Sequence, residues 1–184
     1  QHSGETGQAP DEFHSQSSTI RTMIGGMIRL LRPAHWVKNV FVLAPLVFAG
    51  QLSDPDALRD GLMAFGAFCL ASSAVYVFND IRDRAEDRLH PLKRHRPIAA
   101  GTVQVPTAIA MGVTLAVVSL ALAASLGRSF FTVLAVYLVL NQLYSAGLKH
   151  TVILDVMIVS FGFVLRVIAG GYAVNVQVSA WLLL

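Results

Sequence analysis

Asn79-Asp80-Ile81-Arg82-Asp83-Arg84-Ala85-Glu86-Asp87 runs straight into the basic stretch Arg88-Leu-His-Pro-Leu-Lys-Arg-His-Arg96, and long apolar segments lie on both sides. Four carboxylates and six cationic side chains fall between Asp80 and Arg96. If the preceding helix continues through this stretch, steps of three and four residues return Asp80, Asp83 and Asp87 to one narrow face. Three carboxylates on one face repel each other. A hard divalent cation such as Mg²⁺ relieves that repulsion, and such ions are held by a few carboxylates together with phosphate oxygens of a substrate.

The flanking sequence places this charged stretch at a membrane. Of the 184 residues 54% are hydrophobic and only 14% charged, and mean hydropathy is +0.59, which excludes an ordinary soluble domain. Apolar segments run approximately over Trp36–Leu52, Ala57–Phe78, Val105–Leu126, Phe130–Leu148 and Val152–Val174, and a sixth begins near Val178. About 20 apolar residues cross a bilayer core. The first segment is short, with Lys38 and Asn39 near its start and Pro45 in its middle, and is expected to be kinked or tilted. Because the chain ends inside an apolar segment, it is expected to be incomplete at its C-terminus. The sole cysteine, Cys69, lies in an apolar run and reads as packing.

Residues 1–22 are polar and read as a disordered cytoplasmic tail, with His2 and His14 as solvated tail residues. Residues 23–33 follow as an amphipathic surface helix ended by Pro33. The membrane domain then occupies 23–184, with a cytoplasmic catalytic loop at 79–104. Lys and Arg counts set the orientation. With the N-terminus inside, eleven fall on inside segments, against Arg59 and Arg128 outside and Arg166 within a span. The N-terminus and the acidic stretch are therefore expected to face the cytoplasm.

Three further sets of polar residues stand out. Arg166 lies well inside an apolar segment and needs a partner, either an anionic ligand or a structural ion pair. Asp155, three turns earlier, and Lys149 belong to the same constellation. Tyr137, Asn141, Tyr144 and Ser145 form a polar stripe that bonds between helices or meets a ligand. Lys38 and Asn39 either reach a phosphate or anchor the span with Trp36. Lys93, Arg94 and Arg96 suit phosphate neutralisation, Arg in bidentate fashion, while His90 and His95 have loop or phosphate roles.

Asn79-Asp80-x-x-Asp83-x-x-x-Asp87, followed by Lys93-Arg-His-Arg-Pro-Ile-Ala-Ala-Gly101, resembles the UbiA superfamily of intramembrane prenyltransferases. Tyr144-Ser-Ala-Gly-Leu-Lys149 and Arg166-Val-Ile-Ala-Gly-Gly171 look like matching stretches of that superfamily. Leu31-Arg-Pro-Ala-His-Trp-Val-Lys-Asn39 is most similar to its decaprenyl-phosphate phosphoribosyltransferase branch. The resemblance implies an all-α, polytopic transmembrane bundle, of which this chain is an N-terminal portion of roughly nine helices.

It also implies a multi-pass plasma-membrane enzyme that transfers 5-phosphoribose from phosphoribosyl diphosphate to a polyprenyl (decaprenyl) phosphate, for cell-wall arabinan precursors. In that scheme Asp80, Asp83 and Asp87 hold Mg²⁺ and Asn79 orients the diphosphate. Lys93, Arg94 and Arg96 meet donor phosphates, and Lys38, Lys149 or Arg166 receives the lipid phosphate, with Asn39 and Tyr144 as further substrate contacts. Membrane lipids are partners, nucleic acid is not, and self-association is left open. Two alternatives stand beside this reading: an aromatic-acceptor prenyltransferase of the same superfamily, and a non-enzymatic membrane scaffold or transporter subunit.

Overall fold

The computed structural model of the chain describes residues 21–145 and 152–178, and these are helical, with no strand among them. Helix α1 covers residues 21–31. An 11-residue 3₁₀ segment, Pro33–Leu43, leads into the short α2, Ala44–Phe48. Then come α3 (Pro55–Arg82), α4 (Arg84–Leu89), α5 (Val105–Ser125), α6 (Arg128–Leu143) and α7 (Val152–Ala173). The tail histidines His2 and His14, Lys149 and the Asp155 side chain lie outside the described residues.

Helix α3 is the hub. Asp54 caps its start, accepting from the backbone N–H groups of Asp56 at 2.9 Å and Ala57 at 3.3 Å, and Pro55 fills the first helical position, where no N–H is required. Small side chains run along it: Ala64, Ala67, Ala71, Ser73 and Ala74 are all fully buried. They let the 3₁₀ segment, α5, α6 and α7 pack close, the usual arrangement between membrane helices. Phe68 fills the centre, edge-on to Phe130 at 6.0 Å and tilted against Tyr137 at 5.3 Å.

Among the described residues, α3 and α5 are long and apolar enough to cross a membrane. At 1.5 Å per residue, α5 extends roughly 32 Å and α3 roughly 42 Å, against a hydrocarbon core of about 30 Å. The excess length of α3 carries Asn79, Asp80 and Arg82 past the apolar layer. Val113, Val117 and Val118 of α5 are exposed, a surface suited to lipid.

The first apolar segment departs from a straight span in a specific way. A 3₁₀ helix rises about 2.0 Å per residue, so Pro33–Leu43 followed by α2 covers roughly 30 Å in 16 residues, close to the thickness of the core. Its three-residue turn also aligns Trp36, Asn39 and Val42 on one face, and Pro45 follows in the first turn of α2. Asn39, Val42 and Pro45 are buried there, and the Trp36 indole N–H donates to Ser73 Oγ at 3.0 Å. The turn thus carries a polar side chain into the bundle beside apolar ones.

Helix α1 turns Leu30 inward, against Val77, Ile98, Val103 and Ala108, and leaves Met23, Ile24 and Ile28 exposed. Helix α7 crosses the 3₁₀ segment at Gly170, where an added Cβ would run into the Val42 carbonyl oxygen. Gly66 on α3 has open space around it. Gly170→Ala is expected to cost about 3 kcal/mol by overpacking. Gly66→Ala is expected to stabilise by up to ~1 kcal/mol through helix propensity. Opposite shifts of the two thermal-unfolding midpoints in detergent are the check.

Candidate functional site

The acidic stretch forms a charged mouth at the end of α3. The helix is interrupted at Asp83 alone (φ −81°, ψ 0°), and backbone bonds from Asp83 N to Asn79 O at 2.8 Å and from Asp87 N to Asp83 O at 2.9 Å span the break. Helix α4 therefore continues the four-residue bonding pattern, and Asp80 and Asp87, two turns apart, are brought to a common partner. That partner is Arg96. Its Nη1 donates to Asp80 Oδ1 at 3.2 Å and to Asp87 Oδ2 at 2.9 Å.

The loop that brings Arg96 back is built for the purpose. His90 Nδ1 accepts the N–H groups of Leu92 at 3.2 Å and Lys93 at 3.3 Å, so His90 serves the turn. Arg88 Nε donates to the Ala99 carbonyl at 3.1 Å and ties the two limbs together. Pro97, Ile98 and Ala99 are buried as the foot of the loop, and Gly101 turns the chain towards α5 with φ 78°, a conformation that favours glycine. Lys93, Arg94 and His95 stay exposed at the rim.

A second guanidinium arrives from the other direction. Arg32 Nη2 donates to Asp80 Oδ1 at 2.6 Å, its backbone is left-handed (φ 50°), and its Cζ sits 4.8 Å over the Tyr76 ring. His35 also packs on Tyr76, at 5.2 Å. Asp80 itself is only 3% exposed and meets two charges of opposite sign, the condition under which a buried carboxylate is tolerated.

The sequence pattern led to an expectation of three carboxylates gathered round one ion. Among the described residues, no three His, Cys, Asp or Glu side chains converge closely enough to enclose a metal. Asp80 and Asp87 close on Arg96 instead, because a guanidinium between them neutralises the repulsion that the pattern implies. The chemistry of the donors still suits a hard cation. Asn79 Oδ1 is buried without a hydrogen-bond partner, one residue from Asp80 and one turn from the half-buried Asp83. An amide oxygen with carboxylates around it is an all-oxygen donor set.

Arg166 lies in a separate, buried cluster. Its Nε donates to Asn39 Oδ1 at 2.8 Å, Nη1 to the Gly162 carbonyl at 2.7 Å and Nη2 to Tyr137 Oη at 3.1 Å. Its Cζ is 4.9 Å from the centre of the Tyr137 ring, which adds a cation–π contact. Asn39 is fully buried, and its Nδ2 donates to Ser72 Oγ at 3.1 Å and Cys69 Sγ at 3.4 Å. Asn39 and Arg166, both expected at substrate phosphate, are thus turned towards each other with their donors and acceptors engaged. The three-residue period of the 3₁₀ segment parts them from Lys38, which is exposed.

In the polar stripe of α6, Tyr137 faces Arg166, Asn141 Nδ2 returns to the Tyr137 carbonyl at 2.8 Å, and Tyr144 is half-buried. Arg32 is the site residue that sequence reasoning missed. It reads there as one more topology-setting cation before a proline.

The sequence profile of the UbiA prenyltransferase family matches residues 39–184. The chain belongs to the UbiA prenyltransferase family. It is 43% identical over 178 residues to decaprenyl-phosphate phosphoribosyltransferase of Mycolicibacterium smegmatis, a match covering 95% of this chain and 56% of that protein. The enzyme of the same name from Mycobacterium tuberculosis is 43% identical over 166 residues, covering 88% of this chain and 55% of its own length. Nodulation protein NoeC of Azorhizobium caulinodans is 35% identical over 150 residues, 81% of this chain and 48% of that protein.

The chain spans about half the length of the curated relatives it matches. A UbiA homologue from Archaeoglobus fulgidus, solved bound to GPP and Mg²⁺, shares the fold with a TM-score of 0.71 at 23% identity. That match covers 84% of this chain and 56% of the homologue. The described helices thus share the all-α fold of the UbiA family.

Asn39→Ala removes the acceptor of Arg166 Nε inside the bundle. The expected cost is about 1–3 kcal/mol, the penalty for a buried donor left unpaired. In an Arg166→Met background the same substitution is expected to cost less by roughly 1 kcal/mol. A double-mutant cycle of thermal-unfolding midpoints measures the difference.

Proposed function

We propose that this chain carries the donor-binding half of a phosphoribosyltransferase that moves 5-phosphoribose from phosphoribosyl diphosphate to a polyprenyl phosphate and releases diphosphate. The observation that carries the proposal is the cluster of carboxylates and guanidiniums at the end of α3, within a chain 43% identical to proteins named for this transfer. In the reaction the bond from ribose C1 to the diphosphate oxygen breaks and a bond from C1 to a lipid phosphate oxygen forms. No electron is gained or lost and no protein nucleophile is required.

The residues divide the work by position. Asp80, Asp83 and Asp87, with Asn79, would hold Mg²⁺, the ion bound in the Archaeoglobus fulgidus homologue. The ion supplies charge neutralisation of the departing diphosphate. Lys93 and Arg94, exposed at the rim, and Arg96, on Asp80 and Asp87, are assigned to the donor phosphates, and their charges draw a phosphorylated sugar in. Lys38, exposed on the 3₁₀ segment, and Lys149 are assigned to the lipid phosphate. Arg166 and Asn39 hold the 3₁₀ segment that presents Lys38. The mouth faces the cytoplasm of a plasma-membrane protein on the Lys and Arg bias, and the lipid product serves cell-wall arabinan synthesis.

A second reading has its own support, since the same homologue was solved with GPP and, separately, with DMAPP, both prenyl diphosphates. Membranes containing the protein, given Mg²⁺ and phosphoribosyl diphosphate labelled in the ribose, are expected to label polyprenyl phosphate. Prenylation of an aromatic acid from a polyprenyl diphosphate, without ribose transfer, overturns the first reading in favour of the second. Asp83→Asn is expected to lower turnover at least ~100-fold, the scale of losing a group that stabilises developing charge. Chelation with EDTA is expected to abolish it. Full turnover in Asp83→Asn rules out a catalytic role for the acidic stretch.

A further inference from the structure

The two arginines on Asp80 are held differently. Arg32 approaches to 2.6 Å, is stacked on Tyr76 and leaves a backbone set in the left-handed region, so its guanidinium is fixed at both ends. Neither arginine grips a carboxylate with the bidentate fork that makes Arg–carboxylate pairs strongest, and Arg96, through Nη1, makes its two contacts at the longer distances of 3.2 Å to Asp80 and 2.9 Å to Asp87. Its side chain is 28% exposed, against 22% for Arg32, and each carboxylate it touches is 3% exposed. The Arg96 backbone is held by bonds from Arg96 N to Lys93 O at 2.9 Å and from Ala100 N to Arg96 O at 2.8 Å, above the buried Pro97, Ile98 and Ala99. Neither bond involves the guanidinium, so the side chain can move without breaking them.

Charge sets the direction of that movement. Two guanidiniums balance two carboxylates as the cluster stands. A dication held by the same two carboxylates and by Asp83 leaves the cluster with excess positive charge, and repulsion falls on whichever cation is held less firmly. Arg32 is not, and Arg96 is. A diphosphate restores the balance and presents oxygens in the geometry that a guanidinium fork matches.

We propose that Arg96 is an exchangeable counter-ion. Its guanidinium neutralises Asp80 and Asp87 until a divalent cation takes those carboxylates, and it then transfers to the diphosphate that the cation carries. The inference rests on the metal-diphosphate reading given above and adds an ordering to it. Arg96 opposes the cation alone and favours the cation together with a diphosphate, so the two ligands bind cooperatively and the site does not fill with free metal.

The test is binding rather than turnover. Mn²⁺, standing in for Mg²⁺, is titrated into the purified protein in detergent with and without inorganic diphosphate, and free Mn²⁺ is followed by electron paramagnetic resonance. Arg96→Gln is expected to bind Mn²⁺ alone about tenfold more tightly than the parent, because a competing positive charge is gone. At saturating Mn²⁺ it is expected to bind diphosphate about tenfold more weakly, because the fork is gone. Arg96→Lys keeps the charge without the fork. It is expected to retain the parent's weak binding of Mn²⁺ alone and to lose diphosphate affinity, and it carries the test if the Gln variant fails to fold.

Unchanged or weaker binding of Mn²⁺ alone by a folded Arg96→Gln overturns the exchange and makes Arg96 a fixed brace. Failure of the parent protein to bind Mn²⁺ even with diphosphate present overturns the metal-diphosphate reading itself, and the exchange with it.

Discussion

A carboxylate buried to 3% exposure at the end of the central helix has to be met by positive charge, and Asp80 draws that charge from two directions. Arg32 comes from the chain before the first apolar segment and Arg96 from the loop after α4. Each contact holds more than its own side chain. Arg32 fixes the junction between α1 and the 3₁₀ segment, and Arg96 closes the loop onto Asp87. Removing one partner from such a cluster costs more than any single pair contributes, because a buried charge is left uncompensated. The mouth of the bundle is organised round that requirement.

Deeper in the bundle the same requirement is met, among the described residues, without a carboxylate. Arg166 is 8% exposed and donates to an amide oxygen, a backbone carbonyl and a phenol, with aromatic faces around it. Neutral acceptors solvate the guanidinium and leave its charge in place. The 3₁₀ segment makes this possible. An α-helix over the same residues turns by 100° per residue and sweeps Trp36, Asn39 and Val42 gradually round its axis, whereas three residues per turn stack them on one line. The extra rise also lets a short segment approach the thickness of the bilayer core.

Much of this was legible in the amino-acid sequence. Long apolar segments, the spacing of Asp80, Asp83 and Asp87 and the distribution of Lys and Arg are local quantities, and the all-α membrane architecture follows from them. The spacing also put Asp80 and Asp87 on one side, as their shared partner Arg96 shows. The occupant of the space between them was not legible, since a cation and a guanidinium satisfy the same two carboxylates. Nor was the role of Asn39. Beside Lys38 it reads as a second phosphate contact, and the 3₁₀ turn sends the two side chains to opposite environments.

What the sequence alone determined is what repeats within a turn or two: which segments are helical, which are apolar enough for lipid, and where charge interrupts them. What only the tertiary structure decided is which charge meets which. Arg32 and Asp80 are 48 residues apart, and Asn39 and Arg166 are 127 apart. Side chains at such separations meet only when packing along α3 has set the height and rotation of every neighbour, and no local period encodes that. The acidic stretch could be recognised by eye, but the two arginines that hold it became identifiable only once the helices were in place.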